Sequence, residues 1–251
     1  MIVALMLGRE GSTGFPGKNL MKVRGRRLME YPLLAAKASK HIDAFYISTD
    51  SPGIKKVGRK HGVQIIDRPD YLCTKEALGD DAYVHGYELI KKENLEEIEL
   101  VVLLFCNAIT ITTEAIDEGI AALRADPSLD SAVTVSRYNM WSPLRARKLD
   151  DEGLLQPFVP FETFGDPKTL NCDRDSQGDV FFADMGVSIV RPRCLEALSE
   201  GMLPQKWMGQ RIHPIRQEGG FDIDYAWQLP GIEWWIDTHF KKNKKSKKKR
   251  S

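Results

Sequence analysis

A run of six apolar residues, Ile2–Leu7, leads directly into Gly8-Arg9-Glu10-Gly11-Ser12-Thr13-Gly14-Phe15-Pro16-Gly17-Lys18-Asn19, and this junction leaves few folds open to the chain. Six apolar residues in a row fit a strand buried on both faces, the kind found in parallel sheets covered by helices. Glycines that begin where such a strand ends lie at the carboxyl edge of the sheet, where open α/β sheets bind ligands. Gly8, Gly11, Gly14 and Gly17 permit close backbone approach, and the amides between them can form an anion-binding nest. Arg9 and Lys18 add positive charge suited to phosphate. By residue type alone the stretch also fits a surface turn; its place after the first strand favours the phosphate cradle. The spacing matches neither G-x-x-x-x-G-K-[ST] nor G-x-G-x-x-G, so neither a P-loop nor a dinucleotide fingerprint is expected.

The rest of the chain alternates. Residues 27–39 read as a helix through Leu28, Tyr31, Leu33, Leu34 and Ala38, and residues 45–49 as a strand ending in the turn signal Ser48-Thr49-Asp50-Ser51-Pro52. A short helix at 54–61, a strand at 63–66 and a helix at 80–92 follow. Residues 99–105 form the clearest buried strand, 113–124 an amphipathic helix opened by a threonine cap, and 131–136 another strand. This succession predicts an α/β fold, a mostly parallel sheet with helices on both faces. Near Trp141 the pattern changes: residues 145–156 carry a hairpin signal around Asp150-Asp151-Glu152-Gly153, and 158–179 are irregular. Residues 141–180 therefore read as an insertion, a lid, an oligomerisation arm or both. Regular structure returns with a strand at 181–190, a helix at 192–199, a strand at 212–216 and a last helix from 224 to about 238, which Pro230 must kink or restart.

Composition excludes some classes of function. No apolar run approaches the ~20 residues of a membrane span and the residues before the first strand carry no basic region, so neither a membrane span nor a secretory signal is expected. Cys73, Cys106, Cys172 and Cys194 have no C-x-x-C spacing, so a zinc site or disulfide framework is not expected and a reducing cytosol suits them. The net charge of +1 conceals an asymmetry, because eight of the 36 basic residues lie in 241–250, leaving 28 against 35 acidic ones. The body is mildly acidic. The run at 241–251 repels itself and is expected to be a disordered tail, either merely solvated or in contact with anionic partners.

A second feature lies near the end of the chain. In Phe221-Asp222-Ile223-Asp224 two carboxylates alternate, and in an extended segment both reach the same side, where they can share one hard cation. The competing reading makes Asp224 the cap of the last helix and Asp222 a solvated loop residue. A phosphate loop without a Walker lysine still needs its polyphosphate neutralised, and Mg²⁺ held by one or two carboxylates does this.

The pattern Arg9-x-Gly11-Ser12-x-Gly14-x-Pro16-Gly17-Lys18-Asn19 resembles the signature of the cytidylyltransferases that activate acidic sugars. These are the CMP-N-acylneuraminate synthetases and their relatives for pseudaminic, legionaminic and 3-deoxy-manno-octulosonic acids. Further ordered matches extend the likeness over residues 2–236: Ile47-Ser48-Thr49-Asp50, Arg68-Pro69 followed by Leu72, Asp130-Ser131, and Asp222-Ile223-Asp224 as the metal-binding Asp-x-Asp. The resemblance implies a Rossmann-like nucleotidyltransferase fold over residues 1–240 and a cytoplasmic homodimer with 141–180 as its arm. It also implies Mg²⁺-dependent transfer of CMP from CTP to the anomeric hydroxyl of an acidic sugar, with release of pyrophosphate.

Position by position, the resemblance assigns Arg9 and Lys18 to the triphosphate as catalytic residues, with Gly8, Gly11 and Ser12 completing the cradle. Asn19 and Arg68 are expected near the cytidine, and Asp222 and Asp224 on Mg²⁺. Phe105, Asn107, Arg145, Arg174 and Gln177 fall at segments that face the sugar acid, although Arg145 fits a solvated hairpin charge equally well. Two departures matter. Thr13 stands where the sialic-acid enzymes usually carry lysine, the Ser-Thr pair being closer to the octulosonate branch. The family's Leu-Leu-Gln-Pro-Thr-Ser-Pro reads Leu103-Leu104-Phe105-Cys106-Asn107-Ala108-Ile109, so a glutamine that would touch the sugar is replaced by phenylalanine. The alternatives left open are a nucleotidyltransferase for another base or a sugar phosphate, a metal-dependent glycosyltransferase, and a catalytically inactive binding homologue.

Overall fold

The computed structural model describes residues 1–11, 14–174 and 176–240; Ser12, Thr13, Asp175 and the basic run at 241–251 lie outside the described residues. In chain order the elements are β1 (Ile2–Leu7), a small hairpin of β2 (Lys22–Val23) and β3 (Arg26–Arg27), α1 (Glu30–Ala38), β4 (Ala44–Thr49), α2 (Pro52–Lys60), β5 (Gln64–Asp67), α3 (Gly79–Glu93), β6 (Leu100–Phe105), α4 (Thr113–Ala125) and β7 (Ser131–Arg137). The insertion contributes β8 (Arg147–Leu149) and β9 (Leu155–Pro157), after which come β10 (Phe181–Val190), α5 (Pro192–Glu196), β11 (Ile212–Gln217) and α6 (Leu229–His239).

Seven strands form the central sheet in the order β11-β7-β10-β6-β1-β4-β5, with β10 antiparallel to both neighbours and every other pairing parallel. This is the mostly parallel α/β sheet that the alternating sequence predicts. Period-two side-chain alternation explains why β1 is apolar at every position. Ile2, Ala4 and Met6 join one buried cluster with residues of α1, α2 and α4, while Val3, Leu5 and Leu7 join another with Tyr83, Tyr87 and Ile90 of α3. Register then fixes the ligand edge. Leu7 lies opposite both Ser48 of β4 and Phe105 of β6, so the turns after β1, β4 and β6 emerge side by side.

Two local expectations are corrected. The helix expected at 27–39 begins only at Glu30, because Arg24 and Gly25 adopt positive φ (50° and 86°) and turn the chain into the β2–β3 hairpin. The last helix does not start at Asp224. A 3₁₀ turn at Ala226–Gln228 precedes α6, and Pro230 sits in the first turn of α6, where its missing N–H costs nothing. Nor does Asp224 cap this segment: the Gln228 side-chain oxygen accepts from the N–H groups of Asp224 and Tyr225, both at 2.8 Å, leaving the Asp224 carboxylate for another partner.

A third apolar cluster matters most for function. Ile232 and Ile236 of α6 pack with Val23, Leu28, Tyr31, Ile109 and the fully buried Ile223. Burying Ile223 fixes the backbone between Asp222 and Asp224, and Arg24 ties the hairpin to α6 through Asp237 at 3.0 Å and Glu233 at 3.3 Å. The insertion holds the predicted hairpin, with Leu149 paired to Leu155, followed by 3₁₀ turns at Phe161–Phe164 and Pro167–Thr169. Among the described residues no helix is long and apolar enough to cross a membrane.

Candidate active site

At the carboxyl edge of the sheet lies a cavity of about 530 Å³, lined by residues that follow β1, β4–β5, β6 and β11. Gly8, Arg9, Lys18, Asn19, Arg68, Phe105, Asn107, Asp222 and Asp224 all line it, so nine of the predicted positions converge there, together with Gly14 of the same loop. Gly11 lies exposed on the loop and is not among the lining residues, while Ser12 is outside the described residues.

Close packing explains why the loop begins with glycine. A Cβ at Gly8 would stand 2.4 Å from Cys106 Sγ, a thiol whose pKa burial pushes up to about 12 and which is therefore inert. Gly8→Ala is expected to destabilise the fold by about 1–3 kcal/mol, the scale of overpacking. Combining it with Cys106→Ala should recover at least half of that loss in a urea-denaturation cycle; equal losses in both backgrounds would show that the thiol is not the obstacle. At the other end of the loop, a Cβ at Gly14 would stand 2.8 Å from the Asp224 carbonyl oxygen. The glycine loop and the acidic segment therefore touch, although they are some 200 positions apart in sequence.

Lys18 sits at that contact. It is 7% exposed, and its ammonium donates to the Ile223 carbonyl and the Asp224 carboxylate. Asp224 is half exposed, while Asp222 is held from the other side by Asn107, whose amide donates to Asp222 Oδ2 and to the Ile223 carbonyl, both at 3.1 Å. Burial above all, and then the neighbouring charge of Asp224, raise the pKa of Asp222. An acid pair in this state gains from a cation. Among the described residues no group of three His, Cys, Asp or Glu side chains surrounds a common point. Two carboxylates without a third protein ligand suit Mg²⁺, which completes its shell with phosphate oxygens and water, better than a structural zinc.

Arg68 is 8% exposed and donates to the Ser48 carbonyl at 2.6 Å and the Ser48 hydroxyl at 3.2 Å. Burial pulls its pKa down, and among the described residues it forms no ion pair, so a buried positive charge faces the cavity. Asn19 donates to the Arg9 carbonyl at 3.4 Å, but its own side-chain oxygen is buried without a partner, leaving an acceptor for a ligand N–H or O–H. Arg9 donates to the Thr74 carbonyl across the mouth.

Three of the sugar-facing candidates lie elsewhere. Arg145 donates to the Cys172 carbonyl and lines a separate cavity of about 320 Å³ within the insertion. Arg174 and Gln177 do not line the main cavity, and Gln177 contacts Ser176 at 3.4 Å. In their place are Trp207, Met185, Leu78 and Tyr225, which carry no motif. Met185 reaches the cavity through a bulge: the β10–β7 register shifts between Ala183 and Ser188, and Met185 adopts φ 61°. The buried Asp184 pins this bulge, accepting from Ser136 Oγ at 2.6 Å, Gln217 Nε2 at 2.9 Å and Gly186 N at 3.2 Å. An aspartate two residues before a glycine in an otherwise apolar strand is the one sequence sign of such a bulge.

The sheet order and the edge cavity define a Rossmann-like nucleotidyltransferase fold. The chain belongs to the cytidylyltransferase family, whose model matches residues 3–145. A stretch of 65 residues is 38% identical to 3-deoxy-manno-octulosonate cytidylyltransferase of Bdellovibrio bacteriovorus and covers 26% of either chain. A stretch of 64 residues is 42% identical to N-acylneuraminate cytidylyltransferase of Oncorhynchus mykiss and covers 26% of this chain but only 15% of that one. The matches thus span 26% and 15% of these relatives' own length. The structure of CMP:2-keto-3-deoxy-manno-octonic acid synthetase complexed with CTP has a TM-score of 0.65 at 15% identity, covering 94% of this chain and 98% of that one, a likeness of fold.

Proposed function

We propose that this protein transfers CMP from CTP to the anomeric hydroxyl of an acidic sugar and releases pyrophosphate. The observation that carries the reading is the meeting of Lys18 with Asp222-Ile223-Asp224 at the wall of a cavity entered by a glycine loop, in a chain of the cytidylyltransferase family. The acceptor oxygen bonds to the α-phosphorus, the bond from that phosphorus to the β-phosphate oxygen breaks, and the hydroxyl proton passes to solvent. Lys18 and Arg9 hold the triphosphate, with the loop amides, and stabilise the charge that moves onto the leaving pyrophosphate. Arg68 and the unpartnered oxygen of Asn19 orient the nucleoside end. Asp222 and Asp224 would hold Mg²⁺, which lowers repulsion at the α-phosphorus and acidifies a bound hydroxyl.

The same reading makes the enzyme a cytosolic homodimer. Leu149, Leu154, Leu155 and Phe158 of the insertion are each more than half exposed, an apolar face suited to burial against a second copy. The function is tested by pyrophosphate release from each of the four nucleoside triphosphates with a panel of sugar acids and sugar phosphates. Release confined to CTP with a sugar acid is expected. Turnover of GTP with a sugar phosphate would replace this reading with guanylyl transfer, and none with any pair would leave a binding homologue.

A further inference from the structure

The cavity lining is chemically mixed, and the part that continues from Asp222 and Asn107 to Phe105 is apolar. Phe105 closes β6, and Asn107, two residues on, holds Asp222, so whatever rests against Phe105 lies next to the reacting centre. Arg68 and Leu72, which follow β5, also line the cavity. The wall at the Phe105 end is built from Leu78, Gly79, Phe105, Met185 and Trp207, with the fully buried Tyr83 behind it.

The side chains of this wall pack together and offer no free hydrogen-bonding group. Tyr83, Phe105 and Trp207 pack edge to face, with ring centroids 5.3 Å, 5.3 Å and 6.1 Å apart. The polar atoms of the aromatic cluster are already engaged: Tyr83 O–H donates to the Leu104 carbonyl at 2.9 Å, and Trp207 Nε1–H donates to Ser188 Oγ at 3.2 Å. A hydroxyl placed against these side chains would lose its water and find no side-chain partner, whereas a methyl or other alkyl group would gain burial. Gly79 leaves room for such a group, since a Cβ there would meet Trp207 at 3.6 Å and Phe105 at 3.8 Å.

We infer that Phe105 and Trp207 are specificity determinants that select an acceptor with a methyl or acyl-methyl group, rather than a hydroxylated chain, on the side lying next to the metal carboxylates. The inference rests on the proposed cytidylyl transfer and names the class of sugar acid that the reaction takes. Its acidic and anomeric end faces Lys18 and Asp222, and its apolar end faces the Phe105–Trp207 wall.

The test compares two 2-keto-3-deoxy sugar acids that differ only in ending in a methyl or a hydroxymethyl group, with CTP saturating. Wild type is expected to prefer the methyl-terminated acid by at least about tenfold in kcat/KM, within the range that one apolar group commands in a fitted pocket. Phe105→Gln, which sets an amide on the wall, should bring that preference below about threefold, while Phe105→Leu should keep it. In both variants the KM for CTP should stay within about twofold of wild type, and melting curves verify that both fold. Equal use of the two acids by wild type, with turnover otherwise intact, overturns this inference alone. A rise in the KM for CTP in Phe105→Gln, with the acceptor preference unmoved, overturns it too, because the wall would then belong to the base. Absence of CTP-dependent turnover with any acid overturns both the inference and the cytidylyl-transfer reading beneath it.

Discussion

Asp222→Asn should remove most turnover while raising the melting temperature at neutral pH. Losing one of the two carboxylates proposed to hold Mg²⁺ against the triphosphate is expected to cost about 4 kcal/mol of transition-state stabilisation, roughly a thousandfold in kcat/KM. The stability effect has the opposite sign. Burial and the nearby Asp224 raise the folded-state pKa of Asp222, so the folded chain binds its proton more readily than the unfolded chain does. The stability tied to that proton is fully present below the unfolded value of about 3.9 and is lost as pH rises through the folded value. As pH rises the wild type must ionise a partly buried carboxylate beside another. Asparagine carries none and can still accept from Asn107. The gain in melting temperature should therefore appear near pH 7 and vanish below about pH 3.9. Mg²⁺ should raise the melting temperature of wild type and leave that of Asp222→Asn unmoved. Normal turnover with an unshifted Mg²⁺ dependence in the variant would overturn the metal assignment.

Lys18→Ala should lower kcat/KM by about a hundredfold, or about 3 kcal/mol, the scale of losing one preorganised charge at a developing anion. The fall should lie mainly in kcat, because Lys18 begins paired with Asp224 and serves the triphosphate most as charge moves onto pyrophosphate. Stability should change little. The Lys18 side chain is 8% exposed but its partner Asp224 is 55% exposed, and ion pairs that reach solvent on one side typically contribute no more than about 1 kcal/mol. Lys18→Met, which keeps most of the buried stem, separates lost packing from lost charge and should be as inactive as Lys18→Ala. A loss of less than threefold in both variants would remove the loop from the phosphate site.

Much of the site was legible because its residues sit in short patterns tied to secondary structure. Gly8 to Asn19 follow an unmistakable buried strand, Arg68 follows β5 by one residue, and Asp222 and Asp224 are separated by one apolar residue. Alternation along a strand puts like residues on one side without any knowledge of the fold. The cap reading of Asp224 failed for a reason no local pattern holds: the partner that claims its carboxylate, Lys18, lies 206 positions earlier. Arg145 and Gln177 fell short in a similar way, since their spacing places them on an insertion whose path is set by its own turns and hairpin.

By itself the sequence determined the alternation of strands and helices, the glycine loop at the end of β1 and the acid pair before the last helix, because each depends on periodicity or on residues a few positions apart. Tertiary structure alone decided which groups meet. Parallel register brings the ends of β1, β4 and β6 level, burial of Ile223 under α6 sets Asp224 against Lys18 and Asp222 against Asn107, and a bulge pinned by Asp184 brings Met185 to the wall that Trp207 completes. Those contacts join residues tens to hundreds of positions apart, and only closure of the core fixes their distances.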